Sequence, residues 1–183
     1  MKWLALFLVM PVAGFTQSFG APPVVELDGM TFAASETDAC INDQVSKGPG
    51  GLVTRAARAC IGYSARACTA DPKACLAAEQ AYWDWRIAKN YNGLQAWVTD
   101  RAEGDNDDLR ASVANPAAAT ANVVLECALR VDQTETPTAE TDKAACEMRE
   151  TALIALELEF TVRQACVVAG DGAFAQFCGK TDG

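Results

Sequence analysis

Around position 80 the chain reads "AEQAYWDWRIAKNY", where Glu79, Asp84 and Arg86 stand among Tyr82, Trp83 and Trp85. Paired carboxylates are the machinery of glycoside hydrolysis, and they must face one cleft about 5–10 Å apart. On a helix, five residues turn Glu79 and Asp84 roughly 140° away from each other. They therefore make no such pair alone, and an acid from another helix would have to complete it. The chain contains no histidine, which excludes Ser-His-Asp triads, Cys-His dyads and histidine-ligated metals. The expectation is a protein that is not an enzyme and uses no metal and no cofactor.

Cysteine is the other reactive residue. Cys40, Cys60, Cys68, Cys75, Cys127, Cys146, Cys166 and Cys178 are even in number, and none forms a Cys-x-x-Cys motif. Zinc-site spacing and redox motifs are thus missing, and four structural disulfides are expected instead. Cys40 with Cys60 would join two neighbouring helices, and Cys127 with Cys146 two more. For the remaining four, Cys75 with Cys166 and Cys68 with Cys178 is the favoured pattern. The rival is sequential, Cys68 with Cys75 and Cys166 with Cys178.

Such pairing needs an oxidising compartment. The opening "MKWLALFLVMPVAGFTQSFGAPP" has a cationic start, an apolar run and small residues before Ala21, so 1–20 reads as a signal peptide. No cysteine near the cut suggests a lipid anchor, and no later apolar run reaches spanning length. The product would be periplasmic or secreted, about 163 residues long and a single domain. Net charge is −9, or −10 without Lys2. That sign disfavours nucleic acid and anionic membrane surfaces, and favours a basic partner.

The elements that must position these residues read as helices. After an extended, loosely held segment at 21–34, a helix at 35–45 starts with Ser35 as its cap. The turn "KGPGG" separates it from a second helix at 52–67. Asp71-Pro72 is a strong start signal for a third helix at 72–101. Along it Leu76, Trp83, Ile87, Leu94 and Val98 form one apolar stripe, with Trp85 and Trp97 off it. "PAAATANVVLECALRV" predicts a fourth helix, and a last long one begins at Thr136-Pro137 or at Thr138 and runs to about position 168. The acidic stretch "EGDNDD" (Glu103, Asp105, Asp107 and Asp108 among its residues) lacks the spacing of a calcium loop. It reads as a solvated loop or a contact for a basic partner, and Asp84 and Trp85 on the third helix are further candidate partner contacts. The expected fold is all-α, disulfide-stapled and built on an antiparallel hairpin of the third and last helices. In that register Glu79 pairs with Arg163, while Trp83 anchors the core.

The stretches "ACIGYSARAC" and "CLAAEQAYWDWRIAKNY" resemble the lysozyme-inhibitor LprI family of exported bacterial helical proteins. The shared features are a cysteine pair around a short loop, then Glu79, Trp83-Asp84, Arg86, an aliphatic Ile87 and Tyr91. "LEFTVRQACVVAGDGAFAQFC" is similar to the family's second half, through Phe160, Arg163, Cys166, Gly170, Gly172 and Cys178. Ile87-Ala88 stands where the family has Leu-Asn, and 102–142 forms an insertion in a domain covering 35–178. The resemblance implies a monomeric binding protein that inhibits or binds a basic muramidase such as lysozyme. The alternative is a non-inhibitory envelope scaffold or interaction module of the same fold.

Overall fold

The computed structural model describes residues 22–28, 30–48, 50–100, 116–131, 137–167, 169 and 173–179. Among them are strands β1 (Val24–Leu27) and β2 (Met30–Ala33). The helices are α1 (Ser35–Ser46), α2 (Leu52–Cys60), α3 (Tyr63–Ala67), α4 (Pro72–Asp100), α5 (Pro116–Val131), α6 (Ala139–Val167) and α7 (Ala173–Phe177). The helical, disulfide-stapled expectation holds. The predicted signal peptide and the acids at Glu103, Asp105, Asp107 and Asp108 lie outside the described residues.

The segment expected to be loosely held is instead an antiparallel hairpin with Leu27 opposite Met30 and Val24 opposite Ala33. Two residues, Asp28-Gly29, connect the strands, a pairing that suits the twist of a tight hairpin, and Asp28 takes a positive φ of 49°. Phe32 then enters the main core at 5% exposure. α1 follows with Ala34, not Ser35, at its N-cap and no side-chain capping bond. Arg55 secures the turn between α1 and α2. Its Nη2 donates to the carbonyls of Gln44 (3.1 Å) and Gly48 (2.7 Å), covering oxygens that a helix end leaves bare.

The helix expected over 52–67 is broken in two. Ile61 is extended (ψ 127°) and Gly62 is left-handed (φ 74°), a conformation that costs a side chain energy. The break turns the amides of Gly62 and Ala65 inward. α4 starts as its sequence predicts, with the Ala74 amide donating to Asp71 Oδ2 at 3.0 Å. Its stripe is buried as expected: Trp83, Ile87, Leu94 and Val98 are all at most 5% exposed, and Leu76 lies at the margin of the core.

The partner of that stripe is α6, running in the same direction. Lys73 Nζ lies 2.8 Å from Glu140 Oε2 near the start of both helices. Further along, Arg86 Nη2 lies 2.9 Å from Glu159 Oε2. Toward the far ends, Leu94 and Val98 cluster with Val162 and Ala165. Contacts that rise together in number on both helices define a parallel pair and correct the antiparallel hairpin. In the chain α4 and α6 are separated by residues 101–138, which include α5, so no tight turn joins the two long helices.

The disulfides follow the sequential pattern. Cys40–Cys60 joins α1 to α2, Cys68–Cys75 closes the α3–α4 connection, Cys127–Cys146 ties α5 to α6, and Cys166–Cys178 ties α6 to α7. A bridge from Cys75 to Cys166 would need opposite ends of two parallel helices to meet. Each bridge stabilises by about 2–4 kcal/mol.

α7 lies against α4 where Gly93 leaves room. A Cβ at Gly93 would sit 2.5 Å from Phe177 Cε1. Helix propensity alone would make Gly93→Ala stabilising by about 1 kcal/mol. Overpacking reverses the sign, and we expect a net loss of about 1–2 kcal/mol in urea unfolding. A gain in stability would show that α7 does not hold this position.

Candidate functional site

The polar residues of α4 divide between two buried networks and one exposed patch. In the first network the Glu79 carboxylate, with 0% of the residue exposed, accepts from the Gly62 amide (2.8 Å) and the Ala65 amide (2.7 Å). Trp83 Nε1 (3.3 Å) and Thr37 Oγ1 (3.4 Å) also donate to it. Thr37 and Ser64 are linked at 2.8 Å between hydroxyls, and each accepts the other's amide at 3.1 Å. Burial pushes the Glu79 carboxyl pKa up and outweighs the pull of its donors downward. The folded state therefore holds its proton to higher pH than the unfolded chain. The stability this adds is complete below the ordinary carboxyl range and is lost as pH rises through the folded value.

The second network crosses from α1 through α4 to α6. Arg86, itself 5% exposed, reaches Asp38 Oδ1 at 2.9 Å, Glu159 Oε2 at 2.9 Å and the Tyr82 hydroxyl at 2.6 Å. The Tyr82 hydroxyl donates to Asp38 at 2.8 Å. Asn90 Nδ2 donates to Glu159 at 3.1 Å, and Arg163 pairs with Glu159 from one turn further along α6. Two acids and two arginines thus balance in charge. Burial pushes the Glu159 carboxyl up, but the Arg86 and Arg163 charges and the donors from Arg86 and Asn90 more than offset this. Its pKa is held below the ordinary value.

That depression gives a pH signature. Stability from ionised Glu159 is complete above the ordinary carboxyl range and is lost as pH falls through the depressed folded value. We expect wild type to exceed Glu159→Gln in stability fully at neutral pH, with the gap closing in acid, as measured by urea midpoints from roughly pH 3 to 7. A gap that does not change with pH would mean that folding leaves the Glu159 pKa where it is in the unfolded chain.

The Glu79 and Arg163 ion pair expected from the hairpin is absent, because each has other partners. The parallel arrangement also separates them. Asn90, which reaches the Glu159 level of α6, lies roughly 16 Å along α4 from Glu79. Neither network presents two free carboxylates to one cleft. Glu79 is closed off, and Glu159 lines a cleft of about 380 Å³ with Lys89, Arg163 and Phe177, but its oxygens are already held by cations. Among the described residues, no group of three or more cysteines and acids is placed to hold a metal ion.

Asp84 and Trp85 remain together on the outer side of α4. Asp84 is exposed and makes no ion pair or hydrogen bond among the described residues, and the surrounding protein raises its pKa by desolvation. Trp85 is half-buried, stacked on Tyr82 with centroids 5.9 Å apart, and Lys89 Nζ lies 5.3 Å over its ring. Sequence reasoning missed Asp38, Tyr82, Asn90 and Glu159. Two signals were present: Tyr82, Arg86 and Asn90 recur every four residues, and Glu159 stands four before Arg163, so each set shares a helical face.

These features define a mostly helical, disulfide-braced fold with two buried polar clamps. Among the described residues, no helix is long and apolar enough to cross a membrane. No family model matches the chain, and no curated protein or solved structure matches it either.

Proposed function

We propose that this chain is an exported binding protein, periplasmic or secreted and monomeric, that captures and inhibits a basic protein such as lysozyme. The observation that supports this is Asp84, a desolvated carboxylate at the surface with no cation of its own among the described residues. A cationic partner would supply the missing charge and steer association. Trp85 beside it offers an aromatic edge of the kind that anchors interfaces. The four disulfides fit an oxidising compartment, and the resemblance to the LprI family supplies the choice of lysozyme.

The test is cell-wall lysis by lysozyme in the presence of the purified, oxidised protein. Inhibition is expected, and Asp84→Lys should weaken it by about tenfold, consistent with reversing one close charge at an interface. Undiminished lysis at micromolar excess would sink the inhibitor. The second reading, a non-inhibitory scaffold, is favoured by the stacking of Trp85 on Tyr82, which commits much of that ring to the fold. Binding of the basic protein without loss of lysis would select it.

A further inference from the structure

Away from the Asp84 surface, α2, α3 and the start of α4 meet α6 along an open groove. Two depressions of about 350 and 260 Å³ share Ile61 and Arg149 and so run together. Ile61, Leu76 and the buried Met148 give apolar walls and floor, and Met148 is a side chain that adapts its shape to what it meets. Arg58, Arg66 and Arg149 also line the groove, and no acid does. Arg66 is positioned by its bond to the Ile61 carbonyl at 3.0 Å and lies 5.8 Å over the Tyr63 ring. Arg58 and Arg149 are exposed and make no hydrogen bond or ion pair among the described residues. In a chain of net charge −9, three guanidinium groups around an apolar trough are an inversion of the local field.

We infer that this groove binds an acidic peptide segment carrying an aliphatic side chain, the aliphatic group against Met148 and the carboxylates on the three arginines. Guanidinium groups pair with carboxylates in a bidentate fork and give up water more readily than lysine does. The groove follows α6 from Ala145 to Leu153, roughly 12 Å at a rise of 1.5 Å per residue. About four residues of extended peptide cover that length. Several separated cations call for several carboxylates, and a single-headed amphiphile supplies one. The site is independent of the Asp84 surface, so either proposal stands if the other fails.

The probes are fluorescein-labelled hexapeptides that alternate Glu or Asp with Leu or Ile, with lysine-for-acid counterparts. They are titrated onto the full oxidised protein by fluorescence anisotropy. The acidic series should bind in the micromolar range and the lysine series should not. Arg58→Glu with Arg149→Glu should weaken binding at least tenfold, and Arg58→Gln with Arg149→Gln should weaken it less. Both positions are exposed, and circular dichroism checks that the variants fold. Equal affinity for the two series, affinity unchanged in the variants, or no saturation by any acidic peptide at millimolar concentration would overturn the assignment. So would binding to phosphatidylglycerol vesicles that the charge reversal abolishes while acidic peptides do not bind, because the occupant would then be a membrane surface.

Discussion

Replacing Glu79 with alanine should lower the unfolding free energy of the oxidised protein by about 3–5 kcal/mol, because it leaves several buried donors without an acceptor. The loss has a specific origin. The Gly62 amide is buried and the Ala65 amide partly so, and each donates to one Glu79 oxygen. Without the carboxylate those amides have no helical acceptor, because the chain breaks between α2 and α3 at that point. An orphaned buried donor costs about 1–3 kcal/mol, and Trp83 Nε1 and Thr37 Oγ1 would lose an acceptor too. Glu79→Gln should cost less than alanine, since it keeps one acceptor oxygen while turning an NH2 toward a donor. Urea unfolding with the disulfides intact measures both. A loss below 1 kcal/mol for alanine would mean that the α2–α3 break is held by something other than this side chain.

Arg86→Met should cost a similar 3–5 kcal/mol, for the opposite reason: it leaves a buried anion with half its compensation. Arg86 touches both α1 through Asp38 and α6 through Glu159, and the Tyr82 hydroxyl shares its charge at 2.6 Å. Residues in one network do not act additively. A double-mutant cycle of Arg86→Met with Glu159→Gln should therefore show a coupling of about 1–3 kcal/mol, the double variant being less damaged than the singles combined. Additivity within about 0.5 kcal/mol would separate the two residues energetically and deny that the network clamps α4 to α6.

The helices and the number of bridges were legible in the sequence because their causes are local. Asp71-Pro72 starts α4 through a cap bond made within three residues, and the stripe through Trp83 and Val98 needs only helical period to be recognised. The direction of α6 against α4 was not legible. Hydrophobic period fixes which face of a helix is buried, and both directions satisfy the same stripe. The cysteine positions were compatible with either pattern as well, and the wrong choice between them carried the Glu79 and Arg163 pairing with it. The break at Ile61-Gly62 escaped notice because its stabilising partner, Glu79, lies seventeen residues away. The hairpin at 24–33 does carry a local mark, Asp28-Gly29 between apolar residues. Of the candidate surface, Asp84 and Trp85 could be named from their place off the stripe. Glu159 became intelligible only once Arg86 and Asn90 were seen on a neighbouring helix.

The sequential bridges bear on how the molecule is made. Taken in chain order, the cysteines pair first with second, third with fourth and so on, over separations of 20, 7, 19 and 12 residues. If the chain is oxidised as it is made, the first thiol of each pair finds its partner in the next thiol to emerge. A catalyst that oxidises neighbours in order of arrival produces the native set among 105 arrangements without reshuffling. The contact between α4 and α6 is spanned by no bridge and is left to packing and to the Arg86 clamp.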